Sequence, residues 1–481
     1  MIFDLLFKKR STLPLYLFNT LSREKEVFVP IKSGKVGLYT CGPTVYGFPH
    51  IGNMRTYVFE DILKRVLNYN SYKVRHIMNI TDVGHLTGDR DMGDDKMEAE
   101  SKKEGKTAWE IADFYTKAFK EDLKYLNIIF PDIFCKATDN IKEQIEMIEV
   151  LEKKGFTYKT SDGIYFDTSK VVDYNKLSHQ KLEDLREGAR IEVNPEKKNA
   201  TDFALWKFSP RPNSGQAKRQ MEWPSPWGVG FPGWHIECSA MSVKYLGEQF
   251  DIHCGAVDFV NLHHTNELAQ TESATGKKPW VKYWLHGEFL NLDKGRKMSK
   301  SAGDSVTVNN TFIEKGMSPL VFRFVCLNTH YRKAMEWNDE VAVSSSHSYE
   351  ILKKKIINLG KKVGKVNSEW KVKFNSAIND DLNMAQALAV LNEMLKSELS
   401  PADKLATALD FDKVFGLEFK TFIENKVVVL KMSDEVSKIV DERKTARANK
   451  DWKKSDELRD KIKSLGFEVK DTPEGQEIVK I

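Results

Sequence analysis

Val36 to Thr40 is a short apolar run of β-forming residues, and it reads as a strand. After the turn "GFPHIGNMR" (Gly47–Arg55), Phe59, Ile62, Leu63, Val66 and Leu67 recur at i, i+3, i+4, i+7 and i+8 and lay one apolar stripe along a helix. Val74, His76, Met78 and Ile80 then alternate through a β-rich run. Strand, turn, helix and strand in this order suit a right-handed parallel βαβ unit. The pattern therefore predicts an α/β domain in the first part of the chain.

Farther along the pattern changes twice. Gly84 to Lys106 is polar, charged and glycine-dotted, which predicts a surface loop that runs into a helix and interrupts the sheet. Residues 140–200 are mixed and lysine-rich, with "LREGARIEV" (Leu185–Val193) as an edge element. Aromatic and proline content then rises at "FALWKFSP" and "MEWPSPWGVGFPGWHIECSAM". An inserted subdomain is expected there. From Tyr349 onward the strand signals fade and Leu, Ile, Lys and Glu dominate to the end, as in a helical domain. No fixed-period repeat is visible. The expected division is 1–139, 140–205, 206–290, 291–345, 346–430 and 431–481.

Composition narrows the class. With 41% apolar and 30% charged residues in 481, the chain matches neither a disordered nor a membrane composition and has room for about three domains. Its net charge of +5, from 74 basic and 69 acidic residues, predicts polyanion binding only where the basic residues cluster. They cluster at Lys353–Lys373 and at Glu442–Lys454, although such runs are commonly solvated helix faces. Apolar Met1–Phe7 precedes the charges Lys8–Arg10, the reverse of a signal peptide, and no stretch reaches membrane-spanning length, so a cytoplasmic protein is expected. Cys41, Cys135, Cys238, Cys254 and Cys326 are odd in number and widely spaced, which favours free thiols or metal ligands over a disulfide framework.

Three groups of residues carry candidate chemistry. His50 and Gly52 fall at the mouth of the predicted helix, where free backbone N–H groups and the dipole favour phosphate; taken alone, an ordinary surface turn fits as well. "GRKMSKSAGD" (Gly295–Asp304) sets Arg296, Lys297 and Lys300 among small residues, a loop able to place cations on phosphate oxygens or simply a solvated basic loop. His263 and Glu267 share a helix face at i and i+4, and with Cys41 and Cys238 would make a Cys₂-His-Glu set suited to Zn²⁺. The residues alone leave this open. No CxxC pair anchors the set, a lone cysteine is often a buried small hydrophobe, and His264 competes with its neighbour.

Taken together, HIGN and KMSKS in this order resemble the two signatures of class I aminoacyl-tRNA synthetases. The Lys297–Ser301 pentapeptide is intact, whereas the first signature is usually His-Ile-Gly-His and departs here at Asn53, which keeps hydrogen-bonding ability but cannot carry charge. "LYTCGPTVYGFPHIGNMR", "NITD", "PGWHIECSAM", "FDIHCGAVDFVNLHHTNE" and the two ends, "FNTLSREKEVFVP" and "ARANKDWKKSDELRDKIKSLGFEVKDTPEG", resemble blocks of the cysteinyl-tRNA synthetases from near Phe18 to the C-terminus. The resemblance implies an α/β, Rossmann-like parallel-sheet catalytic domain with an inserted subdomain, followed by an α-helical anticodon-binding domain. Residues 291–345 would then hold the KMSKS loop and a stem-contact region, and 431–481 a tRNA-binding tail.

It also implies a reaction. ATP, accompanied by Mg²⁺, and L-cysteine would form cysteinyl-adenylate and pyrophosphate, and the cysteinyl group would pass to the 3′ end of tRNA(Cys). His50, Gly52, Asn53, Lys297, Ser299 and Lys300 would bind ATP, with His50, Lys297 and Lys300 catalytic. Gly42, Thr81, Trp234 and Asp258 would line the cysteine pocket, while Cys41, Cys238, His263 and Glu267 would hold one Zn²⁺. A soft thiolate binds that ion far better than a hydroxyl, which would separate cysteine from serine where size cannot; the ion would become five-coordinate on substrate binding. Cys135, Cys254 and Cys326 match no ligand position and are expected to be structural, Trp452 is expected to meet the tRNA, and the family suggests a monomer. Two rivals remain at this stage, a ligase that passes cysteine to an amino sugar and a non-catalytic RNA-binding relative. The long helical C-terminus opposes the first and the retained signatures oppose the second.

Overall fold

The computed structural model describes residues 13–84, 95–180, 194–209, 219–292, 296–297, 306–425, 434–449, 451–472 and 475–480. A hairpin of β1 (Tyr16–Asn19) and β2 (Glu24–Val27) leads into β3 (Lys35–Thr40), helix α1 (Ile51–Tyr69) and β4 (Lys73–Ile80). β3 and β4 pair in parallel, from Lys35 opposite Lys73 to Thr40 opposite Met78. This is the predicted strand–helix–strand unit. Asp95 caps α2 (Lys96–Glu104) and Thr107 caps α3 (Ala108–Tyr125) through a reciprocal capping box with Glu110. The chain then returns to β5 (Ile133–Lys136), parallel to β4.

After α4 (Ile141–Lys153) comes a separate antiparallel sheet of β6 (Thr157–Lys159), β7 (Gly163–Phe166), β8 (Phe203–Phe208) and β9 (Gly230–Pro232). The expected boundary at 205 falls inside β8, because Phe203, Leu205 and Trp206 pack with Ile148, Leu151 and Phe166 in one core. α5 (Trp234–Leu246), β10 (Phe250–Ala256), α6 (His263–Thr275) and β11 (Val281–Gly287) then complete the parallel sheet in the spatial order β11-β10-β3-β4-β5. Its central strands are buried on both faces, which explains why Val36, Leu38 and Tyr39 form an unbroken apolar run. In such a sheet ligands collect beyond the carboxyl ends of the strands. The residues that follow β3, β4 and β10 include Cys41, Thr81 and Asp258.

Beyond the sheet, β12 (Leu290–Leu292) pairs antiparallel with β13 (Arg296–Lys297) and parallel with β14 (Met335–Glu336), with α7 (Leu320–Asn328) between the last two. Helices α8 (Asp339–Asn358), α9 (Ser368–Ile378), α10 (Met384–Lys396), α11 (Pro401–Phe415) and α12 (Phe419–Asn425) form the expected helical region, with Phe374 and Phe411 stacked 3.9 Å apart in its core. α8 starts ten residues before Tyr349 because Asn338 caps it through Val341 N, a signal that an apolar count overlooks.

α13 (Asp434–Ala448) and α14 (Trp452–Ser464) follow, and the chain ends in an antiparallel hairpin, β15 (Phe467–Thr472) and β16 (Gly475–Lys480). This hairpin departs from the expectation of helix to the end. Gly466 in the left-handed region (φ 84°) stops α14, and Phe467 and Val469, two apart, join Leu458 and Ile462 in a small core. "LREGARIEV", residues 85–94 of the expected Gly84–Lys106 loop and Met298–Ser301 lie outside the described residues.

Candidate active site and metal centre

His50 is the N-cap of α1. Its backbone is extended (φ −86°, ψ 161°), its Nδ1 accepts from Asn53 N at 3.1 Å, and its own N donates to Asn53 Oδ1 at 3.2 Å. This is a capping box with a histidine and an asparagine in the usual roles of Ser/Thr and Glu/Gln. The departure at Asn53 thus has a structural use that the sequence did not reveal. A neutral imidazole that accepts at Nδ1 carries its proton on Nε2, so the cap also orients His50 as a donor. Ile51 N donates to Val306 O at 2.9 Å, which fastens the segment after the KMSKS loop to the first turn of α1. Lys297 ends β13, whereas Ser299 and Lys300 lie outside the described residues.

At the carboxyl end of β3, Cys41 meets Cys238 on the first turns of α5 and His263 and Glu267 on the first turns of α6. All four are buried, and one donor atom from each lies within 4.8 Å of the others. Burial pushes the Cys41 thiol well up, helped by its hydrogen bond with Cys238. Burial also opposes ionisation of Cys238, yet hydrogen bonds with Cys41 and His263 bring its thiol below the usual value. His263 would be depressed by burial, but the Glu267 carboxylate and the Cys238 sulfur outweigh this and raise it to about 10. The cluster therefore attracts positive charge. Glu267 Oε1 is buried without a hydrogen bond, although His263 Nε2 stands 2.9 Å away off line.

A second set shares two of these members: Cys41, His253, His264 and Glu267 also lie within 4.8 Å of one another. His253 Nε2 is 3.0 Å from Glu267 Oε2, and His264 Nε2 is 3.2 Å from Cys41 Sγ. His264 Nδ1 meets His286 Nε2 at 2.8 Å, and burial followed by the neighbouring histidines holds His264 far below the usual imidazole range. Behind the first set, His235 Nδ1 and His263 Nδ1 are 3.0 Å apart. None of His235, His253 and His286 was singled out from sequence. The signal existed in "GWHIE", "DIHCG" and "WLHGE", which place a histidine in the first turn of α5, in the middle of β10 and near the end of β11.

The expected cysteine-pocket residues divide. Gly42 N donates to Asn79 Oδ1 at 2.8 Å, and a Cβ on Gly42 would come within 1.8 Å of Asn79 O, so β3 and β4 approach too closely there for any side chain. Thr81 Oγ1 accepts from Asn79 Nδ2 at 3.0 Å and donates to Glu237 Oε2 at 3.1 Å. Trp234 stacks on His263 with ring centres 4.1 Å apart. Gly42 thus follows Cys41 directly, Thr81 bonds the neighbour of Cys238 and Trp234 covers His263, while Asp258 is exposed on the turn Val257–Phe259. Of the other cysteines, all buried, Cys254 bonds Cys41 N through its carbonyl oxygen and Cys135 Sγ donates to Met78 O. Trp452 is exposed at the start of α14, with Arg447 over its ring at 5.6 Å.

Comparison with known proteins settles the family. The family described as "tRNA synthetases class I (C) catalytic domain" matches residues 27–347, and the "Cysteinyl-tRNA ligase anticodon binding domain" matches residues 431–478. The cysteine–tRNA ligase 1 of Burkholderia lata is 48% identical over 466 residues, covering 97% of each chain. The chain belongs to the cysteine–tRNA ligase family. That of Treponema denticola is 45% identical over 95% of this chain and 98% of its own, and that of Borreliella burgdorferi 40% over 96% and 99%. This chain is therefore a class I aminoacyl-tRNA synthetase. The fold agrees with that of more distant solved structures. A leucyl-tRNA synthetase ternary complex of Agrobacterium radiobacter has a TM-score of 0.57 at 11% identity over 85% and 86% of the chains. Methionyl-tRNA synthetase of Mycobacterium tuberculosis with methionyl-adenylate has 0.54 at 14% over 81% and 91%. Among the described residues no helix is long and apolar enough to cross a membrane.

Proposed function

We propose that the protein joins L-cysteine to tRNA(Cys) with ATP, with a Zn²⁺ in the Cys41–Cys238–His263–Glu267 cluster selecting the thiol. The observation that carries this reading is the convergence of these four side chains, from β3, α5 and α6, between Thr81 and Trp234 at the carboxyl edge of the sheet. The donor set fits the ion. Two thiols, one imidazole and one carboxylate are a Zn²⁺ complement, and the buried Glu267 Oε1 makes no hydrogen bond. When bound, the ion supplies a soft site that takes a thiolate far better than a hydroxyl. This set is preferred over the one with His253 and His264, since both sulfurs belong to it and His235 holds His263 Nδ1 and so leaves Nε2 to the ligand side.

The remaining chemistry is positioning and charge. The carboxylate of cysteine attacks the α-phosphorus of ATP and pyrophosphate leaves; no enzymic base is needed. Gly42 and Thr81 hold the amino acid. His50, oriented by its cap on α1, donates to phosphate at the helix N-terminus with Gly52 and Asn53 beside it, while Lys297 and Lys300 neutralise the departing pyrophosphate and Ser299 donates a hydrogen bond to it; Mg²⁺ brought with ATP would supply further positive charge there. A hydroxyl of the terminal adenosine of the tRNA then attacks the carbonyl and AMP leaves. Exposed Trp452 and the lysines of α8 and α9 would meet the tRNA. A monomer working in the cytoplasm remains the expectation that goes with this reading.

The test is cysteine-dependent exchange of pyrophosphate into ATP, run beside serine, with zinc content measured on the same preparation. Exchange with cysteine and not serine, falling more than about 100-fold in Cys238→Ser, is expected, because even outer partners of a metal are worth 10–100-fold. Charging of tRNA(Cys) then fixes the acceptor. Exchange without charging would favour the amino-sugar acceptor, and no exchange in zinc-replete protein would overturn the reading.

A further inference from the structure

Arg219 is a buried cation that the reaction above does not use. Its side chain is 9% exposed and is paired with that of Asp95, itself 7% exposed. The same nitrogen, Nη2, donates to Gly84 O at 2.9 Å, and the guanidinium carbon lies 3.6 Å from the ring centre of Phe231, a stacking distance. Asp95 in turn caps α2 by accepting from Met97 N at 2.7 Å and Glu98 N at 3.0 Å. One side chain thus joins the end of the Thr81–Gly84 segment, the start of α2 and the strand β9 that turns into Trp234.

Those contacts bracket the cysteine pocket. Gly84 is three residues after Thr81 and Phe231 three before Trp234, and both intervening segments are short and stiff: Thr81, Asp82 and Val83 are buried, and a Cβ on Gly233 would lie 1.9 Å from Ala204 O. There is no slack to absorb a shift at Gly84 or Phe231. Burying an ion pair is weak evidence of added stability, since desolvation offsets most of the attraction. A rigid planar fork that also stacks is well suited to holding two walls in register.

We propose that Arg219 is a positioning residue for the cysteine pocket, clasping the Thr81–Gly84 wall to the Phe231–Trp234 wall so that Thr81 and Trp234 keep their separation. The inference rests on the cysteine-activating reading. It assigns Arg219 to amino acid affinity and leaves thiol selection to the four donor side chains, which it does not touch.

The experiment is pyrophosphate exchange with the full chain, varying cysteine, serine and ATP in turn. Arg219→Met is expected to raise KM for cysteine about tenfold, in the range that small misplacements cost, with KM for ATP, zinc content and the cysteine-to-serine preference each within about twofold of the parent. Arg219→Lys keeps the charge but not the fork or the stack and is expected to raise it by a smaller factor. Arg219→Met/Asp95→Asn is expected to be no worse than the poorer single variant, because the two side chains act as one unit. An unchanged KM for cysteine in folded, zinc-replete Arg219→Met, or a parallel rise for ATP, overturns the proposal. Where Arg219→Met fails to fold, the same signature or its absence in Arg219→Lys decides. Absence of exchange in the parent would instead defeat the functional reading itself.

Discussion

Two of the buried polar clusters among the described residues contrast, and the contrast separates a junction from a site. At the first, Arg323 is completely buried, with Nη2 2.5 Å from Asp61 Oδ2, Nε donating to Phe415 O at 2.5 Å and Nη1 to Leu126 O at 3.2 Å. Asp61 Oδ2 also takes Arg65 Nε at 2.7 Å, and Arg65 reaches Asn127 O at 2.6 Å and Lys413 O at 3.2 Å. Burial would raise the Asp61 carboxyl, but Arg323 and Arg65 outweigh it and hold it below the usual range. Opposite charges and carbonyls answer one another here. At the second cluster, donor atoms of two cysteines, a carboxylate and an imidazole lie within 4.8 Å of one another. The first cluster pairs cations with a carboxylate and with carbonyls of distant segments and so ties α1 to the helical region; the second gathers two thiols, an imidazole and a carboxylate into a set able to hold a metal ion.

The largest effect expected from this difference is at Arg323. Arg323→Met leaves the buried Asp61 with Arg65 alone and strips the Phe415 and Leu126 carbonyls of their donor, and breaking a buried pair costs about 3–5 kcal/mol. The unfolding midpoint in denaturant should fall accordingly, while zinc content and KM for cysteine of the folded protein stay as they were. An unchanged midpoint would mean that the junction does not hold the domains, and a lost zinc would mean that the two clusters are not separate.

A second prediction sharpens the junction by pH. Burial drives the Asp412 carboxyl from 3.8 to about 6, against hydrogen bonds from Phe419 N and Leu417 N and the charges of Arg65 and Arg323. A raised carboxyl pKa means that the folded state binds a proton the unfolded state has released. Its stability contribution is therefore full below about 3.8 and is lost as pH rises through about 6, leaving a penalty of about 3 kcal/mol at neutral pH. Asp412→Asn should remove that dependence. The stability of the variant relative to the parent should rise between pH 4 and pH 7, apart from a constant offset for the lost acceptor. A constant difference across this range would show that Asp412 does not titrate as its surroundings demand.

The two clusters were not equally legible in the sequence. The βαβ unit could be read because periods of 3.6 and 2 leave local marks, whereas the four thiol, imidazole and carboxylate donors were left open by the residues alone and were named only through the resemblance of the blocks around them to a family. The junction could not be read. Asp61 and Arg65 sit among the ordinary charged residues of α1, and although Arg323 stands alone in the apolar run of α7, only the docking of helices far apart in the chain brings the three together, as tertiary packing often overrides local pattern. The capping use of Asn53 was hidden for a related reason, since Asn is an unusual third residue for a capping box. His235, His253 and His286 were missed because a single histidine within a strand or a first helical turn is unremarkable until the fold gathers several. The final hairpin was missed because the alternation at Phe467 and Val469 is too short to stand out from a charged helical tail.

The smallest effect tests the second cluster one layer out. His235 Nδ1 meets His263 Nδ1 at 3.0 Å, and Gln270 Nε2 donates to the His235 carbonyl at 2.7 Å, which helps fix the α5 turn that carries it. If the ion is held through His263 Nε2, then His235 sets the tautomer and angle of that ring, and outer partners of this kind are worth 10–100-fold in metal affinity, or about 1.4–2.7 kcal/mol. His235→Ala should therefore weaken zinc retention against a chelator by that factor. Exchange activity lost in the chelated sample should return when zinc is added in excess, a recovery that Cys238→Ser cannot show. Unaltered zinc retention in His235→Ala would move the ligand role toward His253 and His264, and would make the second set of four the better description of the centre.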